Sequence, residues 1–184
     1  MDEQQAASVN VTGGPAVILI GPPGAGKTTV ALALGALTGL PVRDTDADVE
    51  LESGRIVGEI FTQSGEAEFR RLEHIAVAKA LAEHEGILSL GGGAVMEPET
   101  GRLLAGHPVV FLSISMKTGL QRTGLSDQRP MFVGVNPRGT FKALLDARVP
   151  VYRAIATLEI DTDHLTVNEV AARIIAELGL KAGM

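Results

Sequence analysis

The eight residues "GPPGAGKT", Gly21 to Thr28, constrain what this chain can fold into more than any other stretch. They match GxxxxGK[ST] in full. They follow the short apolar run "PAVILI" and open a segment with Val30, Ala31, Leu34 and Leu37 at helical spacing. Strand, glycine-rich turn and helix is the context in which successive backbone amides face a phosphate and the helix amino end adds partial positive charge. The pattern predicts a bound nucleoside triphosphate, with Gly24, Ala25, Gly26, Lys27, Thr28 and Thr29 around it. Lys27 is expected to reach the β- and γ-phosphates as a catalytic residue, and the Thr28 hydroxyl to sit on Mg²⁺.

The rest of the chain alternates in the same way. After the helix Lys27–Thr38 come a second strand, "PVRDTD" (41–46), and helical material over 47–85 that is broken near "ESGR" and "TQSGE". "GILSL", "HPVVFLSI" and "ATLEID" read as three more strands, and a helix over Val167–Leu178 closes the series. Five strands alternating with helices predict a parallel sheet with helices on both faces, whose ligands sit at the carboxyl ends of the strands. The domain is expected over 15–184, after a mobile tail over 1–14. The segment 122–139 fits neither period. It holds three glycines, two prolines and three arginines, and a loop of that length in a compact domain reads as a lid.

Composition removes several classes of function. With no cysteine there are no disulfides, thiol nucleophiles or zinc–thiolate sites. A net charge of −6 argues against a nucleic-acid surface, although 11 of the 16 basic residues are Arg, which suits a local site for carboxylate or phosphate. No apolar run reaches the ~18 residues of a membrane span, and the tail lacks a signal-peptide pattern. A cytoplasmic monomer with no membrane or nucleic-acid partner is expected. The third strand ends in Gly and the fourth in Ser, where motor ATPases and many GTPases carry an Asp, and no NKxD motif follows. A small-molecule kinase fits better than a switch or a motor.

"ILSLGGGAV" (87–95) runs a strand into three consecutive glycines, so something must approach this backbone too closely for a side chain. Asp44 and Asp46, two apart at a strand end, are expected on the same side of it. Arg70 and Glu73, three apart on one helix, are neighbours.

Taken in order, "GPPGAGKT", "DTD" (44–46), "FRRLE" (69–73), "GGGAV" (91–95), "RP" (129–130) and "RVPVY" (148–152) resemble the shikimate kinase family from about Val17 to Ala172. The resemblance implies a P-loop kinase fold with a lid over 122–139 and a small helical substrate-binding region over 46–85. It implies phosphorylation of the 3-hydroxyl of shikimate by ATP with Mg²⁺, in aromatic amino-acid biosynthesis. It places Asp44 on Mg²⁺ through a water, and Asp46 on the acceptor hydroxyls as base or orienter. Arg70 and Arg148 fall to the substrate carboxylate, and the backbone of Gly91, Gly92 and Gly93 forms a wall against the ring, with Gly92 the expected direct contact. Arg129 matches the lid arginine that closes over ATP as a catalytic residue, with Arg122 a second candidate. Asp48 is read as a first-turn residue of its helix, Arg71 and His74 as surface residues, and Tyr152 as packing. Two departures stand out: Met131 and Phe132 follow the lid "RP", and His164 and Leu165 stand where a basic or amide side chain flanks adenine. A gluconate-type sugar-acid kinase and a catalytically idle nucleotide-binding homologue stay open as alternatives at this point.

Overall fold

A computed structural model describes residues 13–123, 136–181 and 183. Its elements run in chain order as β1 (Val17–Ile20), α1 (Lys27–Thr38), β2 (Val42–Asp44), α2 (Thr45–Ser53), α3 (Val57–Glu83), β3 (Ile87–Ser89), α4 (Pro98–Leu103), β4 (Val109–Ser113), α5 (Met116–Thr123), α6 (Pro137–Ile155), β5 (Leu158–Asp161) and α7 (Val167–Leu178), with a 3₁₀ turn at Ala94–Met96. The sheet has the order β2-β3-β1-β4-β5, and every pairing is parallel. All four residues of β1 are buried, as a central strand covered on both faces requires.

Alternation within the strands divides the core. Val17 and Leu19 of β1, with Val110 and Leu112 of β4, meet α1 and α7 through Leu34, Val170 and Ile174. Ile18, Ile20, Val109 and Phe111 face the other way, onto Val77 and Ala80 of α3 and Tyr152 of α6. A third, small core of Val49, Ile60, Phe69 and Ala76 joins α2 to α3. The helical region over 46–85 therefore has apolar contacts of its own. The breaks expected there are real: α2 stops at Gly54 (φ 67°), and α3 is kinked at Gly65, whose φ of 82° and ψ of 169° no β-carbon tolerates easily.

Two local expectations need correction. β2 ends at Asp44, and Thr45 already belongs to α2. Asp44 is the N-cap: its Oδ1 accepts from the Asp46 N–H at 3.0 Å, so Asp46 stands in the first helical turn and not on a strand beside Asp44. Asp46 and Asp48 follow in that turn, where negative charge suits the helix dipole. The segment 122–139 is also shorter than expected at both ends. Arg122 and Thr123 finish α5, and Asn136 caps α6 by accepting from Gly139 N–H, with Pro137 at the first helical position. Residues 124–135, with Arg129, Pro130, Met131 and Phe132, lie outside the described residues, as does most of the tail.

Candidate active site

The carboxyl edge of the sheet gathers the loops after β1, β2 and β3. The loop after β1 turns into α1 at Gly26, the N-cap, whose missing side chain leaves the helix amino end open. Lys27 is 9% exposed and lies back along this loop, its Nζ donating to the carbonyls of Gly21 at 2.9 Å and Pro22 at 3.1 Å. Thr28 and Thr29 are exposed beside it. Thr28 Oγ1 donates to Asp44 Oδ2 at 3.0 Å, so the two residues expected at the metal are already in contact. A hydroxyl and a carboxylate are hard oxygen donors, and they fit Mg²⁺, which keeps several waters and phosphate oxygens and needs few protein ligands. Among the described residues no group of three or more His, Cys, Asp or Glu side chains could form an all-protein cage instead. A cavity of about 310 Å³ spans Gly24, Gly26, Lys27, Thr28, Asp44 and Asp46.

A larger cavity, about 530 Å³, opens on the other side of Asp46. α3 supplies Arg70 and Glu73, α6 supplies Arg148, and Phe61 and Phe69 form its apolar side. Arg70 is held firmly: Nη1 donates to Glu73 Oε2 at 2.5 Å, Nη2 to Glu66 Oε1 at 3.4 Å, and the guanidinium lies 5.3 Å from the centre of the Phe69 ring. Glu73 is 1% exposed, and burial pushes its carboxyl up to about 7. Asp46 adds to that rise, while Arg70 and Arg148 oppose it. Its Oε1 is buried with no hydrogen-bond partner among the described residues. Arg71 pairs with Glu68 on the exposed face of α3, His74 Nδ1 meets Thr100 Oγ1 at 2.8 Å, and Asp48 pairs with Arg43 at 2.7 Å. None of these three turns toward either cavity.

The three glycines have separate reasons to be glycine. A methyl on Gly91 would lie 2.6 Å from Asp46 Oδ1 and closer still to Glu73 Oε1. On Gly93 it would lie 2.5 Å from Arg70 Cζ. On Gly92 it would stand 3.3 Å from the Gly21 carbonyl oxygen, tight but not overlapping. The protein's own carboxylates and guanidinium press on Gly91 and Gly93. At Gly92, the expected ring contact, it is the carbonyl that is engaged, by Arg148 Nη1 at 3.1 Å and by the Tyr152 hydroxyl.

Tyr152 is the residue whose role sequence reasoning gives only in part. It does pack, with its ring 5.0 Å from Phe111, but its hydroxyl also reaches the glycine wall. Its spacing of four from Arg148 on one helix was the available signal, because i and i+4 share a face. Arg148 itself lies inside α6, which continues through Pro150 to Ile155. A third cavity, about 290 Å³, is lined by Val30, Leu165, Val167 and Val170 and by Arg122. Arg122 Nη1 donates to Gly24 O at 3.3 Å and to Thr162 Oγ1 at 3.2 Å, tying the phosphate loop to the turn after β5.

A phosphate cradle on a parallel sheet, sharing an aspartate with a cavity lined by two arginines, defines a P-loop kinase with a small-molecule acceptor site. The family profile described as Shikimate kinase matches residues 23–179. A shikimate kinase of Saccharopolyspora erythraea is 54% identical over 161 residues, covering 88% of this chain and 92% of that protein. One from Salinispora arenicola is 49% identical over 164 residues, 89% of this chain and 98% of its own. The solved structure of shikimate kinase from Acinetobacter baumannii in complex with shikimate aligns with a TM-score of 0.86 at 32% identity, over 91% of this chain and 93% of that one. The chain belongs to the shikimate kinase family.

Proposed function

We propose that this protein transfers the γ-phosphoryl group of ATP to the 3-hydroxyl of shikimate, giving shikimate 3-phosphate and ADP, with Mg²⁺, in aromatic amino-acid biosynthesis. The observation that carries the reading is the position of Asp46, which together with Gly91 and Gly92 lines both the phosphate cavity and the acceptor cavity. A group at that junction stands where the phosphoryl group passes from one substrate to the hydroxyl oxygen of the other.

In this reading Arg70 and Arg148 hold the ring carboxylate, and Glu73 and Phe69 hold Arg70. Asp46 accepts the proton of the 3-hydroxyl as its oxygen bonds to the γ-phosphorus and the bond to the β-phosphate oxygen breaks. Lys27 leaves the Gly21 and Pro22 carbonyls for the β- and γ-phosphate oxygens, while the Gly24–Thr29 amides cradle them. Thr28, and Asp44 through a water, hold Mg²⁺, which when bound offsets phosphate charge. Arg129, matched to the family's lid arginine by its place before Pro130, is assigned the charge developing on the transferring group. The base of ATP goes to the cavity at Arg122 and Leu165. Among the described residues no helix is long and apolar enough to cross a membrane; the proposal makes the protein a cytoplasmic monomer.

ADP release measured with shikimate, with gluconate and with no acceptor tests the reading. Turnover only with shikimate is expected. Turnover with gluconate alone, or equal release in all three, would overturn it. Asp46→Asn should abolish turnover, a loss of at least ~10²-fold, while ATP still binds.

A further inference from the structure

The glycine wall has three carbonyls, and they are satisfied in different ways. Gly91 O accepts from the Ala94 N–H at 3.1 Å and Gly93 O from the Met96 N–H at 3.0 Å, both within the 3₁₀ turn that follows. The middle carbonyl, Gly92 O, instead takes donors from α6, 56 and 60 residues along the chain: Arg148 Nη1 at 3.1 Å and the Tyr152 hydroxyl. Two side chains one helical turn apart thus converge on one oxygen at the back of the acceptor cavity.

We infer that Tyr152 is a positioning residue for the acceptor: its hydroxyl, sharing the Gly92 carbonyl with Arg148, fixes both the glycine wall and the pose in which Arg148 meets the substrate carboxylate. The inference rests on the reading of the acceptor site given above. Tyr152 is fully buried with its ring against Phe111, so packing aims the hydroxyl. Burial pushes its ionisation up to about 12, so the hydroxyl stays a proton donor at any pH at which the enzyme works. Without it, Gly92 O depends on Arg148 alone. The guanidinium that should offer its donors to the substrate is then the only group left to satisfy a part-buried carbonyl, and the two demands compete. The peptide that carries this carbonyl is also the one between Gly91, pressed by Glu73 and Asp46, and Gly93, pressed by Arg70. Any rotation there is felt by three other site residues. Gly92 borders both cavities, but Arg148, which shares its carbonyl, lines the acceptor cavity and not the phosphate cavity, so the effect should fall mainly on shikimate.

Tyr152→Phe keeps the ring and removes only the hydroxyl. Steady-state kinetics of the full chain, varying shikimate and ATP separately, should show KM for shikimate raised by up to about tenfold, the scale of one hydrogen bond between neutral groups. KM for ATP should stay within about twofold, with a melting temperature close to that of the unaltered protein. Tyr152→Leu, which also empties ring volume, should add a clear drop in melting temperature. In an Arg148→Ala background, the Tyr152→Phe change should no longer move KM for shikimate, because both act on the same contact. An unchanged KM for shikimate, equal rises for both substrates, or full additivity with Arg148→Ala would each overturn the assignment. Failure of the unaltered enzyme to phosphorylate shikimate would instead overturn the functional reading on which it rests, so the two failures are told apart.

Discussion

Replacing Glu73 with glutamine should make the protein more stable at alkaline pH, by an amount the site itself sets. Glu73 is nearly inaccessible to solvent, with one oxygen on Arg70 and the other, Oε1, buried against Gly91 without a donor among the described residues. Desolvation is the largest influence and pushes its carboxyl from 4.5 to about 7. A folded-state value above the unfolded one means that the native state binds the proton more tightly. The stability this group contributes is therefore full below about 4.5 and is lost as the pH rises through about 7. At about 1.4 kcal/mol per pH unit between the two values, the unaltered protein should lose about 2 to 3 kcal/mol from this group between pH 5 and pH 8.5. Glutamine does not titrate. Its carbonyl can still accept from Arg70, and its amide takes the place of Oε1, facing the Asp46 carboxylate. The stability difference, Glu73→Gln minus unaltered, should therefore grow by about 2 to 3 kcal/mol over that range, most of it below about pH 7. That is about 4 to 12 °C in melting temperature for a domain of this size. Urea unfolding of both proteins at four pH values between 5 and 8.5 measures it. A difference that is flat with pH, or one that shrinks as the pH rises, would refute the argument that Glu73 is held against its own ionisation.

Gly93→Ala places a methyl into Arg70, and Arg70 cannot retreat because Glu73, Glu66 and Phe69 surround it. The variant should bind shikimate at least about tenfold more weakly while ATP affinity is unchanged, a split read by isothermal titration with each ligand; overpacking of this kind also costs about 1 to 3 kcal/mol in stability. Arg122→Ala should do the reverse: it cuts the link between Gly24 and Thr162 at the base cavity, weakening ATP about tenfold and leaving shikimate alone. Loss of shikimate binding in the second variant would mean the cavities are misassigned.

Much of this architecture was legible because it is written in local chemistry. α1 begins and ends where Gly26 and Gly39 predict, and α7 starts behind a capping box of Thr166 and Glu169 that a reader can find unaided. The phosphate loop is as local as a motif can be. Asp46 was misplaced because "DTD" alternates like a strand, while the capping bond from Asp44 that ends β2 needs only two residues and no period. α6 starts inside the stretch that composition marks as a loop, because Asn136 and Pro137 carry the N-cap and first-turn signature among glycines and arginines that have no helical period. What no local pattern could supply was the meeting of α6 with the glycines after β3. The bonds from Arg148 and Tyr152 to Gly92 span 56 and 60 residues, and they depend on how a helix lies across the sheet edge. For the same reason the protein's own contacts on the three glycines have no local signal. The side chains that forbid a β-carbon at Gly91 and Gly93 come from α2 and α3, far away in sequence.

The central claim is that one aspartate stands between two substrates. A crystal structure with shikimate and Mg²⁺·ADP bound tests it most directly. The account predicts the ring carboxylate on Arg70 and Arg148, the ring against Gly91–Gly93, and the 3-hydroxyl within hydrogen-bond distance of Asp46 on the side facing Lys27. Shikimate seated elsewhere, or with its 3-hydroxyl turned away from Asp46 and its carboxylate free of both arginines, would contradict it.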